Sequence, residues 1–214
     1  MFRDRWEAGK RLAAALEKYR GRRDAVVLAV PRGGLPVGAV IARELGLPLD
    51  AMLTKKIGHP ANPEVAVGAV ALTGEEISPN AEELGVPEDY LCEKIERLRA
   101  ELRRRHELYL GSGEPLPVAG RTVLLTDDGA ATGLTLKVAA GALKNAGAAR
   151  VVVAVPVAPP NALVVLRSRA DEVVCLETPL DFRAVGQYYD DFSEVTDDQA
   201  VAILRGFAPA RAIS

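Results

Sequence analysis

Cysteine is almost absent from the sequence: Cys92 and Cys175 are the only two in 214 residues, far apart and in no metal-ligand spacing. That excludes a disulfide framework and points to a reducing compartment, with both thiols packed as small apolar side chains. Long apolar runs are missing as well. Every hydrophobic stretch is interrupted by a charge or a proline before membrane-spanning length, so no membrane association is expected. Charge of one sign is also lacking, since 27 basic residues face 29 acidic ones. With no global positive field, nucleic acid is not an expected partner, and an anion site has to be local, as for a small phosphorylated ligand. The opening residues MFRDRWEAGKRL are charged throughout and lack the apolar run of a secretory signal, so the expected location is the cytoplasm. There is no internal repeat and no low-complexity tract.

What is present is an α/β rhythm, with 49% hydrophobic residues, enough to bury a full core as one domain. Trp6, Leu12, Ala13, Leu16 and Tyr19 recur at helical spacing, with Gly21 beyond them as a left-handed cap. Ala25 to Val30 (AVVLAV) reads as a buried strand, PRGGLP as a turn, and the pattern up to Gly46 as a helix. Leu49 to Thr54 reads as a second buried strand, completing a right-handed βαβ unit. Lys55 to Pro63 (KKIGHPANP) is rich in breakers and charge and is expected to be a mobile loop; Val65 to Leu72 then forms a strand or hairpin. Pro87 to Leu110 predicts one long helix with Leu91, Ile95, Leu98, Leu102 and Tyr109 on one stripe. Its Arg103, Arg104 and Arg105 are interleaved with acids and read as a solvated face. Beyond the turn-rich Gly111 to Pro117, strands at Thr122 to Thr126, Val151 to Val155 and Glu172 to Leu176 alternate with helices from Gly133 to Ala146 and Pro160 to Arg169. Such alternation implies a mainly parallel sheet covered on both faces, with ligands outside the carboxyl ends of its strands. PRGGLP and DDGAATG both fall at that edge.

The segment Val123 to Thr135 (VLLTDDGAATGLT) carries the most specific chemistry. Gly129, Ala130 and Ala131 are small enough for backbone N–H groups to close around an anion, and the following helix N-terminus adds partial positive charge. Thr132 and Thr135 offer hydroxyl donors, and Gly133 begins the helix. Asp127 and Asp128 are badly placed for a phosphate but suit the vicinal hydroxyls of a sugar, which donate hydrogen bonds. The loop therefore reads a ribose at one end and its 5-phosphate at the other. An ordinary βα turn with capping acids is the alternative, and a pair of acids exceeds what capping needs. A Walker loop is excluded by the missing lysine and a dinucleotide fingerprint by the missing G-x-G-x-x-G spacing.

At these residues the sequence resembles the type I phosphoribosyltransferase family, whose signature is a hydrophobic strand, two acids, small or aliphatic residues and then T-G-x-T. The match departs at Gly129, where the family usually has an aliphatic residue. The resemblance runs in element order from about Ala25 to Leu176, more loosely to Phe192. It implies the family's fold, a twisted mainly parallel sheet with helices on both faces, over a single domain of residues 1–214. The core would span residues 22–176, a helical insertion residues 80–112, and a small hood residues 177–195 plus a C-terminal helix. It also implies Mg²⁺, phosphoribosyl pyrophosphate as donor, and displacement at the anomeric carbon by a nitrogen nucleophile, usually of a base. Asp127 and Asp128 would then hold the ribose and meet the metal only indirectly, through ribose or water, and Gly129 to Gly133 with Thr135 would hold the 5-phosphate. Arg32, Gly33 and Gly34 of PRGGLP stand where the family has its pyrophosphate loop, which often contains a cis peptide, expected here before Arg32 or Gly33. Lys55, Lys56 and His59 stand where the family places a basic residue and a flexible catalytic loop, whose cations would neutralise departing pyrophosphate. In the hood, Phe182, Tyr188 and Tyr189 could stack on a flat heterocycle, with Asp190 in an acidic position. His106, amid the helix charges, reads as structural.

Ala131 stands where 6-oxopurine enzymes carry an aspartate, and no lysine lies near Pro156 to Pro160, which argues against that acceptor class. The alternatives are a non-catalytic regulatory protein that keeps the donor site and a hydrolase or lyase of a phosphorylated sugar. The base is not identified by the sequence, and neither is the oligomeric state, a homodimer being one option.

Overall fold

The computed structural model describes residues 1–62, 65–72, 75–77, 81–110 and 114–207. Five parallel strands form the main sheet: β1 Ala25–Ala29, β2 Leu49–Ala51, β6 Thr122–Thr126, β7 Arg150–Val157 and β8 Glu172–Glu177, in the order β2-β1-β6-β7-β8. Alternate residues of these strands feed two separate cores. Val27, Ala29, Leu124, Val152 and Ala154 face one, and Val26, Leu28, Val123, Leu125, Val151, Val153 and Val155 face the other. A sheet covered on both sides needs apolar residues at every position, which is why these strands read as continuous runs.

The first core is closed by α1 Arg5–Ala15 and α2 Gly34–Leu45, with α6 Asp197–Arg205 against α2. The second is closed by α4 Leu134–Asn145 and α5 Pro160–Arg167. The ends follow local chemistry. Gly46 stops α2 at φ 67°, the left-handed conformation that glycine adopts without a Cβ penalty. Thr196 and Gln199 form a reciprocal capping box at the start of α6, at 3.2 and 2.9 Å; such a cap contributes about 1 kcal/mol. Gly9 of α1 meets α2 so closely that a Cβ there would lie 2.8 Å from Val40 Cβ.

Residues 49–77 depart from the expectation. The apparent strand Leu49 to Thr54 divides: β2 ends at Ala51, and Thr54–Gly58 forms β3 of a separate antiparallel sheet with β4 Ala66–Ala71 and β5 Glu75–Ile77. Lys55 and Lys56 are thus strand residues, not part of a mobile loop. Lys56 lies on the exposed face, while Lys55 shares the face of the buried Ile57 and is half-buried, paired with Glu101. Of the strand or hairpin expected over Val65 to Leu72, the structure has the single strand β4, with its antiparallel partner β5 beyond that range. The long helix is α3 Glu88–Leu110, with Leu98, Leu102 and Tyr109 buried and Arg103, Arg104 and Arg105 exposed. It packs on β3, β4 and α6, and its buried His106 stands 3.4 Å from Asp50 of β2, in keeping with a structural role. Two sequence readings fail by exposure: Trp6 is 41% exposed on α1, and Cys92 is exposed on α3, whereas Cys175 is half-buried. Residues 63 and 111–113, within two of the expected loops, lie outside the described residues. Among the described residues no helix is long and apolar enough to cross a membrane.

The strand order fixes where a ligand can bind. From β1 the chain moves outward to β2, whereas from β6 it moves the other way to β7 and β8, so the winding reverses between β1 and β6. The carboxyl ends of those two strands flank a crevice, the usual ligand position in open parallel sheets.

Candidate functional site

β1 delivers Val30 to Gly33 to this crevice, and β6 delivers Asp127 and Asp128. The two loops are tied by Val30 N–H donating to the Thr126 carbonyl at 2.9 Å, and the Pro31–Arg32 peptide bond is cis, as expected. Both glycines of PRGG are required by the acids beyond them. A Cβ on Gly33 would stand 2.1 Å from Asp128 Oδ2, and one on Gly34 would stand 2.9 Å from Asp127 Cα. The two motifs, nearly a hundred residues apart in the chain, are one packed unit.

Burial raises the affinity of both acids for a proton. Asp127 is pushed well above the usual carboxylate range by burial and by the neighbouring charge of Asp128. Asp128 is raised by burial too, with Arg5 opposing the shift. Arg5 comes from the first turn of α1: its Nε donates to Asp128 Oδ2 at 2.8 Å, its Nη1 to the Ser193 carbonyl at 2.8 Å, and its guanidinium lies 3.9 Å from the Phe192 ring centroid. Sequence reasoning missed Arg5. The available signal was its position on the same helical stripe as Ala8 and Leu12, where an arginine has to find partners.

The 5-phosphate candidates line one recess. Asp127, Gly129 to Thr135 and Leu136 surround about 140 Å³ at the N-terminus of α4. Gly133 precedes the helix with φ 73°, and no side chain caps it apart from Thr132 Oγ1, which accepts a long 3.4 Å bond from Leu134 N–H. Its first-turn amides are therefore the kind of orphan donors that bind anions. A Cβ on Gly133 would meet the Ala162 carbonyl at 2.9 Å, so glycine is demanded by both conformation and space. Gly129, the departure from the family pattern, is explained by the hood: a Cβ there would fall 2.6 Å from Val185 Cγ1.

The hood closes over this loop. It contains a short 3-10 turn, Val185–Tyr188, and is stitched to the N-terminal segment: Phe2 N–H donates to the Tyr188 carbonyl at 2.7 Å, Asp190 N–H to that of Phe2 at 2.9 Å, and Asp191 N–H to that of Arg3 at 2.8 Å. Tyr189 is buried against Phe2 and Phe192, and its hydroxyl donates to the Asp128 carbonyl at 2.6 Å. The expected stacking role of Tyr189 is thereby overturned; its ring is core. Phe182 and Tyr188 remain partly exposed and stack on each other with centroids 5.7 Å apart, and Asp190 is exposed.

The candidate cations are differently placed. Arg32 is paired with Glu194 and lies 3.7 Å from Asp197 of α6. Lys55 is paired with Glu101 of α3, and Lys56 is exposed. His59 accepts from Ala61 N–H at Nδ1, and its Nε2 lies 3.1 Å from the Leu84 carbonyl.

Fold and site together define an α/β protein with an acidic pair and a small-residue loop at its topological switch point. The profile of the phosphoribosyl transferase domain matches residues 4–193, and the chain belongs to that family. A Mycobacterium tuberculosis protein provisionally named a phosphoribosyl transferase, known from strains CDC 1551 and H37Rv, is 40% identical over 219 residues, covering 100% of this chain and 49% of its own. The chain thus spans about half the length of the curated relatives it matches. The crystal structure of TT1426 from Thermus thermophilus is 46% identical, with a TM-score of 0.84 over 97% of this chain and 99% of that one.

Proposed function

We propose that the protein binds phosphoribosyl pyrophosphate with Mg²⁺ and transfers its ribose 5-phosphate to a nitrogenous base or similar nucleophile, releasing pyrophosphate. The observation that carries this reading is the packing of Gly33 and Gly34 directly against Asp128 and Asp127 beside the 140 Å³ recess at the start of α4. Asp127 and Asp128 hold the ribose hydroxyls, Gly129 to Gly133 and Thr135 the 5-phosphate, and Arg32 with the tight turn at Gly33 and Gly34 the pyrophosphate, the Gly34 N–H itself donating to the Val30 carbonyl at 3.0 Å. The nucleophile's nitrogen forms a bond to the anomeric carbon as the carbon–oxygen bond to pyrophosphate breaks, the electron pair leaving with pyrophosphate. Catalysis is then mostly positioning and charge stabilisation.

The acids fit magnesium in a limited way. Their oxygens are of the hard type Mg²⁺ takes, but among the described residues no group of three or more His, Cys, Asp or Glu side chains could hold an ion. Asp127 and Asp128 would therefore meet it through ribose or water, with the donor's own oxygens completing its shell. When bound, the ion neutralises charge on the pyrophosphate.

The whole chain serves as one such domain, acting in the cytoplasm. Phe182, Tyr188 and Asp190 form the base side of the site, and Lys55, Lys56 and His59 the basic side. A second reading, a regulatory protein that binds the donor without turnover, is favoured by the pairing of Arg32 with Glu194 and of Lys55 with Glu101. Pyrophosphate release from phosphoribosyl pyrophosphate across a panel of bases, with Asp128→Asn as control, separates the two. Turnover that needs Asp128 supports the enzyme; tight binding with no turnover on any base supports the regulator.

A further inference from the structure

We infer that Arg5 is a positioning residue of the ribose site: it fixes the Asp128 carboxylate for a sugar hydroxyl and joins the hood to that carboxylate. The inference rests on the reading of Asp127 and Asp128 as ribose ligands. It starts from an oddity of α1. Arg5 is 9% exposed on a stripe otherwise occupied by Ala8, Gly9, Leu12 and Ala13. A guanidinium is buried only when its donors are matched, and a helix packing on a helix has no need of one at that position.

Among the described residues, the side-chain hydrogen bonds and ring contacts of Arg5 go to the site or to its cover. Nε takes Asp128 Oδ2 at 2.8 Å, Nη1 takes the Ser193 carbonyl at 2.8 Å, and the planar face rests on Phe192 at 3.9 Å, with Tyr189 farther off at 6.0 Å. A guanidinium held at three points has one orientation, so the carboxylate it binds has one as well. This matters because Asp128 sits against a second carboxylate, and Gly33 closes the space on the Oδ2 side. Without the fork, Asp128 is free to turn, and the lone pairs that would face a hydroxyl lose their aim. The same guanidinium links residue 193 of the hood to residue 128 of the donor loop, beside the Tyr189 hydroxyl bonded to the Asp128 carbonyl.

Arg5 should therefore govern recognition of the sugar and leave recognition of the phosphate alone. The test is calorimetric affinity for ribose 5-phosphate, 2-deoxyribose 5-phosphate and inorganic phosphate in the wild type, Arg5→Gln and Arg5→Lys, with folding checked by circular dichroism. The wild type should prefer ribose 5-phosphate to the deoxy sugar. Arg5→Gln should lose affinity for ribose 5-phosphate by about tenfold, the scale of a charged hydrogen bond, while its phosphate affinity stays. Arg5→Lys, which keeps the charge but not the fork, should fall between. Wild-type discrimination in Arg5→Gln overturns the inference, as does an equal loss for all three probes, which a merely structural role would give. A wild type that binds phosphate but does not distinguish the two sugars sinks the ribose reading itself, and the inference with it. Should the glutamine variant not fold, a crystal structure of the wild type with ribose 5-phosphate decides. Arg5 still on Asp128, with Asp128 on a sugar hydroxyl, supports the inference; Arg5 displaced from Asp128 overturns it.

Discussion

Gly33→Ala sets two effects of opposite sign against each other. The backbone at Gly33 has φ −60° and ψ −35°, which alanine adopts freely. Chain entropy alone would make the substitution stabilising by about 0.4–1 kcal/mol. Against that, the new Cβ would stand 2.1 Å from Asp128 Oδ2 and 2.7 Å from its Cγ, whereas atoms in contact sit roughly 3.5 Å apart. Asp128 has to move by more than roughly 1 Å to restore contact distance, which breaks its 2.8 Å pair with Arg5. Overpacking costs about 1–3 kcal/mol, and a fully broken buried pair costs about 3–5 kcal/mol. Because Asp128 is 15% exposed at its side chain and can turn outward, the overpacking range is the better guide. The clash wins, for a net loss of about 1 kcal/mol, or about 2–4 °C in melting temperature for a chain of this size. Calorimetry should also show donor binding lost. A melting temperature equal to or above that of the wild type, with donor affinity intact, would refute the claim that PRGG and the acidic pair are one unit.

Asp127→Asn should raise the melting temperature at pH 7 while abolishing donor binding. Burial raises the Asp127 pKa, so its favourable contribution to folding is present in full below the ordinary carboxylate pKa and is lost as pH rises through the raised one. Differential scanning calorimetry should show the variant's advantage shrinking towards pH 4, and a constant advantage would contradict the burial argument. Glu172 behaves oppositely: burial disfavours its charge, but Lys18, Arg150 and the Tyr19 hydroxyl outweigh that and hold it down at about 2. Its contribution is present above the usual pKa near 4.5 and lost as pH falls towards 2, so Glu172→Gln should destabilise at pH 7 and much less at pH 3 in chemical denaturation. Gly129→Ala should destabilise by about 1–3 kcal/mol through the contact with Val185, and Val185→Ala should recover most of that loss in the double variant. Strict additivity of the two would show that the hood does not rest on the loop.

The main sheet and the long helix were legible because each has a strong local pattern: β1 is apolar throughout, β6 and β7 carry unbroken apolar runs at Val123–Leu125 and Val151–Val157, and α3 keeps one stripe over 23 residues. The acidic pair, the glycines and the small residues of the phosphate loop were legible because their types are unusual together. What escaped was decided by tertiary pairing. Lys55 and Lys56 have no strand signature until β4 pairs with them, and Tyr189 gave no sign that Phe2 would bury it. Arg5 stood out only as an arginine on the apolar stripe of α1, and its role escaped because its partner lies 123 positions away. Gly129 looked like a defect in a motif until Val185 was found filling its space.

The most direct test of the account is the calorimetric titration of Mg²⁺-phosphoribosyl pyrophosphate into the wild type and into the Asp127→Ala, Asp128→Ala double variant. Saturable binding by the wild type that disappears in the double variant, with both proteins folded, is the predicted result. A wild type that does not bind the donor, or a double variant that binds it equally well, would contradict the assignment of this loop to the ribose and with it the proposed function.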